Sequence, residues 1–362
     1  MTGAEDTEIL VIGAGLAGLT AAYILQQAGH HVRVLEGAAR IGGRIHSACP
    51  LGDAHERVDL GPTWVWPKWQ PVVAKWLEDL SVPQFDQYDQ GDGILDGYGP
   101  TPYRQFLPGQ DGISRIRGGP SSIIDALFLR LAPDTVVLKT KVAAIEPTVT
   151  GLQATTAEGR TYTAGRIILA APLRVITEQI DIPGLPKDLL HCMQTTPTWM
   201  AQQAKVVASF KKPFWRGAGL SGRVASRQGP LVEIHDHTPA DATFAALFGF
   251  VGWPPEVRAS DPDGLKTAIR NQISRCFGEE AERPEDLLVQ DWSTERLICS
   301  TADLMGPPAH PDVGPDLLRH CHLGGRLWLA VSETADVSPG LIEGALNAGE
   351  TAAERLRSSL SA

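Results

Sequence analysis

The chain has 362 residues, 43% of them apolar and 20% charged, an ordinary globular composition with enough length for a large core split between two domains. A formal net charge of −10 disfavours nucleic acid or an anionic membrane as the main partner. No apolar run approaches the roughly 18 residues that span a bilayer, no basic-then-apolar leader opens the chain, and five scattered cysteines without a C-x-x-C pair suit reduced thiols, so a cytoplasmic protein is expected. Residues 9–18, Ile-Leu-Val-Ile-Gly-Ala-Gly-Leu-Ala-Gly, carry an apolar strand into a G-x-G-x-x-G turn. Gly13 allows the tight turn, Gly15 lets the backbone approach a pyrophosphate, and Gly18 lets a helix over Leu19–Ala28 pack close to the strand. The free N–H groups at that helix start would face the phosphates. The next strand, His31-Val-Arg-Val-Leu-Glu36, ends on a carboxylate that can accept both ribose hydroxyls and repels a 2′-phosphate. FAD and NAD are favoured over NADP, and the fingerprint leaves those two open.

Further along come Arg40-Ile-Gly42-Gly43-Arg44, where paired glycines expose N–H groups to phosphate and an arginine supplies a charged fork, and Val58-Asp59-Leu60-Gly61. Trp64, Trp66, Trp69 and Trp76 crowd the stretch that follows. Asp89–Gly112 and Gly306–Pro315 are rich in turn residues. Ile123, Ile124, Leu127, Phe128 and Leu131 share one helical face, predicting a helix over Ser121–Leu131. Strands are expected over Thr135–Glu146, Leu152–Ala157, Arg160–Thr163 and Arg166–Pro172, the last stopped by proline. Lys205 sits in an apolar strand ahead of Pro213-Phe214-Trp215. His235-Asp236-His237 and His320-Cys321-His322 place no third ligand by spacing, so no metal is expected. Arg326–Ala335 reads as a strand and a turn holding Glu333, and Ser338–Gly349 leads into a small-residue helix.

Taken together, the fingerprint, the Gly42-Gly43-Arg44 and Asp59-Leu60-Gly61 segments, the Lys205 strand and the Glu333-Thr-Ala…Glu343-Gly-Ala run resemble the flavin-dependent amine oxidase superfamily, which includes the monoamine and polyamine oxidases. The resemblance implies an α/β fold with a discontinuous Rossmann-like FAD-binding domain (1–64, 114–195 and 301–362), a second α+β substrate domain (65–113 and 196–300) and a reduced helical cap. It implies that Gly42, Gly43 and Arg44 run beside the pyrophosphate, that Val142 meets adenine through its backbone, and that Glu333 accepts from the ribityl or pyrophosphate region. It places the Ile342 N–H on the flavin C2 carbonyl, where a helix N-terminus stabilises anionic reduced flavin. Lys205 is the implied catalytic residue, holding a water against flavin N5.

Two departures from the resemblance concern the substrate. Monoamine oxidases flank the flavin with two tyrosines, a cage that orients an amine. Alignment puts Leu341 and Ala302 at those positions, so Trp64 and Trp66 are the expected substrate walls instead. Thr301 falls where some relatives carry a flavin-bonding cysteine, so non-covalent FAD is expected. The implied function is oxidation of a small-molecule amine by hydride transfer from the carbon next to nitrogen to flavin N5, with oxygen or another acceptor reoxidising the flavin. The alternatives are oxidation or desaturation of a non-amine substrate, or a flavin-dependent isomerase.

Overall fold

The computed structural model describes residues 5–50, 57–109 and 111–360. Glu5–Ile12 is a strand whose apolar run serves two cores. Ile9 and Val11 pack on the side of the helices Leu16–Gln27 and Ile342–Leu360, and Leu10 and Ile12 pack on the opposite side with Leu173, Ile176 and Leu189. A strand buried on both faces reads as continuously apolar, which is why no polar alternation marks this one.

Val136–Val137, Val32–Leu35, Glu5–Ile12 and Thr161–Leu169 run parallel in that order. On its far side Thr161–Leu169 pairs first with antiparallel Leu152–Thr156 and then with parallel Leu327–Leu329, and Val142–Pro147 closes the sheet. This is a Rossmann-like sheet assembled from both ends of the chain.

Local structure departs from the sequence expectations in several places. The first helix starts at Leu16, so Gly18 lies inside its first turn, where a Cβ would come within 2.1 Å of the Gly13 carbonyl oxygen. The helix from Ser121 ends at Phe128. The strand expected over Thr135–Glu146 is broken, because Lys139 takes φ +53° and turns the chain from one edge of the sheet toward the other. Conversely, Arg160–Thr163 and Arg166–Pro172 merge into the single strand Thr161–Leu169. The turn-rich stretch 89–112, whose residue Gln110 lies outside the described residues, holds the strands Asp92–Asp96 and Tyr103–Gln105. Ile94 is buried there, and the hairpin extends a second sheet.

That second sheet runs Asp286–Asp291, Ala204–Phe210, Ala245–Val251, Leu231–Asp236, Leu220–Ser226, Asp92–Asp96 and Tyr103–Gln105. Strand alternation divides its faces. Ala204, Val206, Ala208, Leu247 and Val251 pack on the helix Pro262–Phe277, whose Leu265, Ile269 and Ile273 share their core. Val207, Ala246 and Phe248 pack on Val58 and Leu60. Between residues 61 and 118 the described chain holds one helix, Pro71–Asp79, so the helical roof is small.

Candidate active site

A cavity of about 610 Å³ is bounded by both sheets. Its first group of wall residues comes from the fingerprint. Gly13 has φ +113°, and a Cβ there would lie 2.5 Å from the Ala170 carbonyl oxygen. At Gly15, by contrast, a Cβ would meet no protein atom within 4 Å, so the backbone at the start of the first helix is bare toward the cavity. Gly42 forms a bridge with Gly15 and donates to the Ala14 carbonyl at 2.8 Å, which lays the double-glycine turn alongside the fingerprint. Arg40 ties that turn down, donating to the carbonyls of Gly43 (2.8 Å), Ile45 (3.1 Å) and Ile41 (3.2 Å). Glu36 lines the cavity with both oxygens anchored, Oε2 accepting from the Ala14 N–H at 2.7 Å and Oε1 from the Ala38 N–H at 2.8 Å. Val142 lines it from the beginning of its strand, beside a bulge in the pairing with Leu152–Thr156.

The second group centres on Arg44. Its guanidinium grips Glu333 through two bonds, Nη1 to Oε1 at 2.5 Å and Nη2 to Oε2 at 2.8 Å, and Nη2 also reaches Ser332 Oγ at 2.9 Å. Glu333 further accepts from the Trp199 N–H at 3.2 Å and from the Ser332 hydroxyl at 2.8 Å. Burial disfavours the ionised carboxyl of Glu333, but the charge and hydrogen bonds of Arg44, with the Ser332 hydroxyl, outweigh it and hold its pKa below the ordinary 4.5. Glu333 therefore stands behind Arg44. Arg44 and Ser332 form the wall, and the carboxylate expected to receive the cofactor directly orients the arginine instead.

The third group surrounds Lys205. Its Nζ donates to the Gly61 carbonyl at 2.9 Å and to Thr63 Oγ1, and lies 4.3 Å from the centre of the Phe248 ring. Lys205 is only 2% exposed, and burial pushes its pKa down while the Asp59 charge pushes it back up. Burial likewise raises Asp59, against the charges of Lys205 and Arg115. The Asp59 N–H donates to His237 Nε2 at 2.8 Å, so the neutral ring carries its proton on Nδ1. Burial holds the His237 pKa well below its usual value.

Trp64, Trp66 and Leu341 line the cavity, and so does Ile342, the first residue of the C-terminal helix. The Trp64 indole N–H donates to Gln87 Oε1 at 2.9 Å, which fixes the ring. Trp76 belongs to the core, and Trp69 is 59% exposed. Ala302 does not reach the cavity. Ser300 caps the short helix Thr301–Met305, on which Ala302 is exposed, and Leu297 and Ile298 supply the wall from this segment. None of the five cysteines lines the cavity, so no thiol is placed to bond a flavin.

Sequence reasoning passed over Trp199, Met200, Glu233 and Phe250, all of them wall residues. Trp199 is placed by a strained turn, with Met200 at φ +60°, and its backbone N–H and carbonyl are held by Glu333 and Arg44. Glu233 and Phe250 are neighbours only through strand pairing. No local periodicity signals any of these four. Among the described residues no cluster of three or more His, Cys, Asp or Glu side chains is gathered for a metal. His235 bonds Glu233 instead, and His322 Nε2 bonds the Leu317 carbonyl.

A bare glycine at a helix start, an anchored carboxylate after the second strand and an arginine fork beside a double-glycine turn fit a dinucleotide pyrophosphate and its ribose. With a buried lysine in the same cavity, they define a dinucleotide-binding protein with a polar group set into its cofactor cavity. Comparison with known proteins names the family. The sequence model described as flavin-containing amine oxidoreductase matches residues 100–357, and that of an NAD(P)-binding Rossmann-like domain matches 11–80. The chain belongs to the flavin-containing amine oxidoreductases. It is 22% identical to a probable flavin-containing monoamine oxidase A of Dictyostelium discoideum, over 98% of each chain. Its fold is similar to that of a cyclohexylamine oxidase from Brevibacterium oxydans, with a TM-score of 0.84 at 18% identity, covering 99% of this chain and 100% of that one. A putrescine oxidase bound to putrescine superposes with a TM-score of 0.81 at 19% identity, covering 98% and 100%. The protein is thus an FAD-dependent oxidoreductase of the amine oxidase type. Among the described residues, no helix is long and apolar enough to cross a membrane.

Proposed function

We propose that the chain oxidises a small-molecule amine by removing a hydride from the carbon next to nitrogen, leaving an imine that water hydrolyses, with oxygen or another acceptor taking up the electrons. When bound, the flavin supplies the hydride acceptor at N5. The observation that carries this reading is Lys205: a buried amino group tied to the Gly61–Thr63 segment and lining the same cavity as the fingerprint glycines. Its role is to position water and charge at the reacting edge. Trp64, Trp66 and Leu341 form the substrate walls. The apolar surroundings favour the neutral amine, whose lone pair the hydride loss requires, so no separate protein base is needed.

For the cofactor, Gly15, Gly42, Gly43 and Arg44 take the pyrophosphate, Glu36 the ribose, Val142 the adenine and the Ile342 N–H the flavin carbonyl. Lys205→Met is expected to slow flavin reduction or reoxidation by at least about tenfold, a change of about 1.4 kcal/mol in barrier height. Rapid-mixing spectroscopy of the holoenzyme measures both half-reactions, and wild-type rates in the variant would remove Lys205 from the mechanism.

A further inference from the structure

The side-chain amide of Gln70 is a hydrogen-bond donor that the fold holds in place and leaves without a protein acceptor. Gln70 is 7% exposed and lines the cavity. Its Oε1 accepts from the Trp66 N–H at 2.9 Å, which fixes the orientation of the amide, because an NH2 group has no lone pair to accept with. The two N–H bonds on Nε2 then have no acceptor among the described residues. Nor is this nitrogen one of the polar atoms sealed inside the protein without a partner, as Asn347 Oδ1 is. A side chain so buried, with one end bonded and its donor end open to a cavity, is set to meet an acceptor on whatever fills that cavity.

Gln70 enters the cavity beside the start of the C-terminal helix. It directly precedes the helix Pro71–Asp79, whose Val72 and Val73 N–H groups end on the Glu343 carboxylate, and Glu343 follows Ile342. Trp66, which orients the amide, shares the cavity wall with Leu341 and Ile342. The carbonyls of this corner are already engaged. That of Trp66 accepts from the N–H groups of Trp69 and Gln70, both at 2.8 Å, and that of Leu341 accepts from the Ala345 N–H at 3.0 Å.

The reacting nitrogen of an amine does not suit this donor, since a hydrogen bond to the neutral nitrogen would occupy the lone pair that hydride loss requires. A carbonyl oxygen on which negative charge develops does suit it. Hydride uptake by a flavin puts such charge on its N1–C2 carbonyl edge, where a fixed neutral donor favours the reduced ring. We infer that Gln70 donates through Nε2 to the flavin C2 carbonyl edge, beside the Ile342 N–H, and raises the reduction potential of the bound cofactor. The inference rests on the proposed place of the Ile342 N–H at that carbonyl.

The test uses the FAD-loaded protein, as wild type, Gln70→Met and Gln70→Glu, with two readouts that need no turnover. The first is the midpoint potential, measured anaerobically against a reference dye. Gln70→Met is close in size, uncharged and without an N–H, and in it the reduced-to-oxidised ratio at fixed potential is expected to fall at least about tenfold, or about 30 mV for a two-electron couple. The second is the flavin C2 carbonyl stretch, assigned by infrared difference spectroscopy with FAD carrying carbon-13 at C2, which is expected to rise in both variants as a donor is lost. Gln70→Glu keeps an oxygen for the Trp66 N–H, so it separates loss of the donor from loss of the turn that the amide braces. If either readout stays at its wild-type value in Gln70→Met, the inference is overturned, and the Ile342 assignment stands where the wild-type potential lies above that of free FAD. A wild-type potential no higher than that of free FAD, with no response to either substitution, overturns both together.

Discussion

At position 15 a side chain would meet only open cavity, and at position 13 it would strike the Ala170 carbonyl with the backbone already at φ +113°. The two fingerprint glycines therefore fail differently when replaced. Gly15→Val is expected to leave apoprotein stability within about 1 kcal/mol of wild type, a helix-start effect, while weakening FAD binding at least about tenfold. Gly13→Ala should destabilise the apoprotein itself by roughly 2–4 kcal/mol through strain and overpacking. Thermal melts of both apoproteins, with FAD titrations, check the contrast, and equal melting losses would deny the assignment of Gly15 to the phosphate. The same residues show what sequence alone carries. Fingerprint positions are legible because backbone geometry demands glycine at fixed spacing. Glu333 was legible as a residue of this site but not as the partner of Arg44, since nothing local reports a bond between positions 289 residues apart.

Among the elements, the helix Pro71–Asp79 lacks a cap of its own, for Gln70 makes no side-chain bond to it. Its acceptor comes from the second residue of the C-terminal helix. Glu343 takes the N–H groups of Val73 at 2.6 Å and Val72 at 3.1 Å, a carboxylate at a helix N-terminus. The helix carrying Ile342 into the cavity wall is thereby tied to the small roof. Glu343→Ala leaves two N–H groups at that helix start without their acceptor and is expected to cost about 1–3 kcal/mol by denaturant melt. A loss under about 0.5 kcal/mol would mean that water caps the helix as well. Glu343 was read in the sequence as part of the Glu-Gly-Ala run, and its capping role depends on packing between elements. The bulge before Glu233 is likewise invisible in its own strand. It is defined by the pairing with Ala245–Val251, and sequence patterning that assumes an unbroken alternation assigns the strand's faces wrongly there.

Across the whole molecule, the cavity takes its glycine-rich wall from strands and turns at both ends of the chain and its lysine from the second sheet. This explains which parts of the function were readable. The fingerprint and double-glycine segments are contiguous motifs, whereas Trp199, Phe250 and Glu233 are single residues brought to the cavity wall by the fold. Ala302 shows the hazard of carrying an alignment across such a region, since a capped helix turns that residue away from the cavity. Hydride removal from an amine needs no oxygen, so the central claim can be tested with the second half-reaction silenced. The decisive measurement is the visible spectrum of the anaerobic holoenzyme before and after addition of primary, secondary and aromatic amines and diamines. Loss of the oxidised flavin band with at least one amine, together with formation of the matching carbonyl product, is the predicted result. A flavin that remains oxidised with every amine, yet is reduced by dithionite, would contradict it.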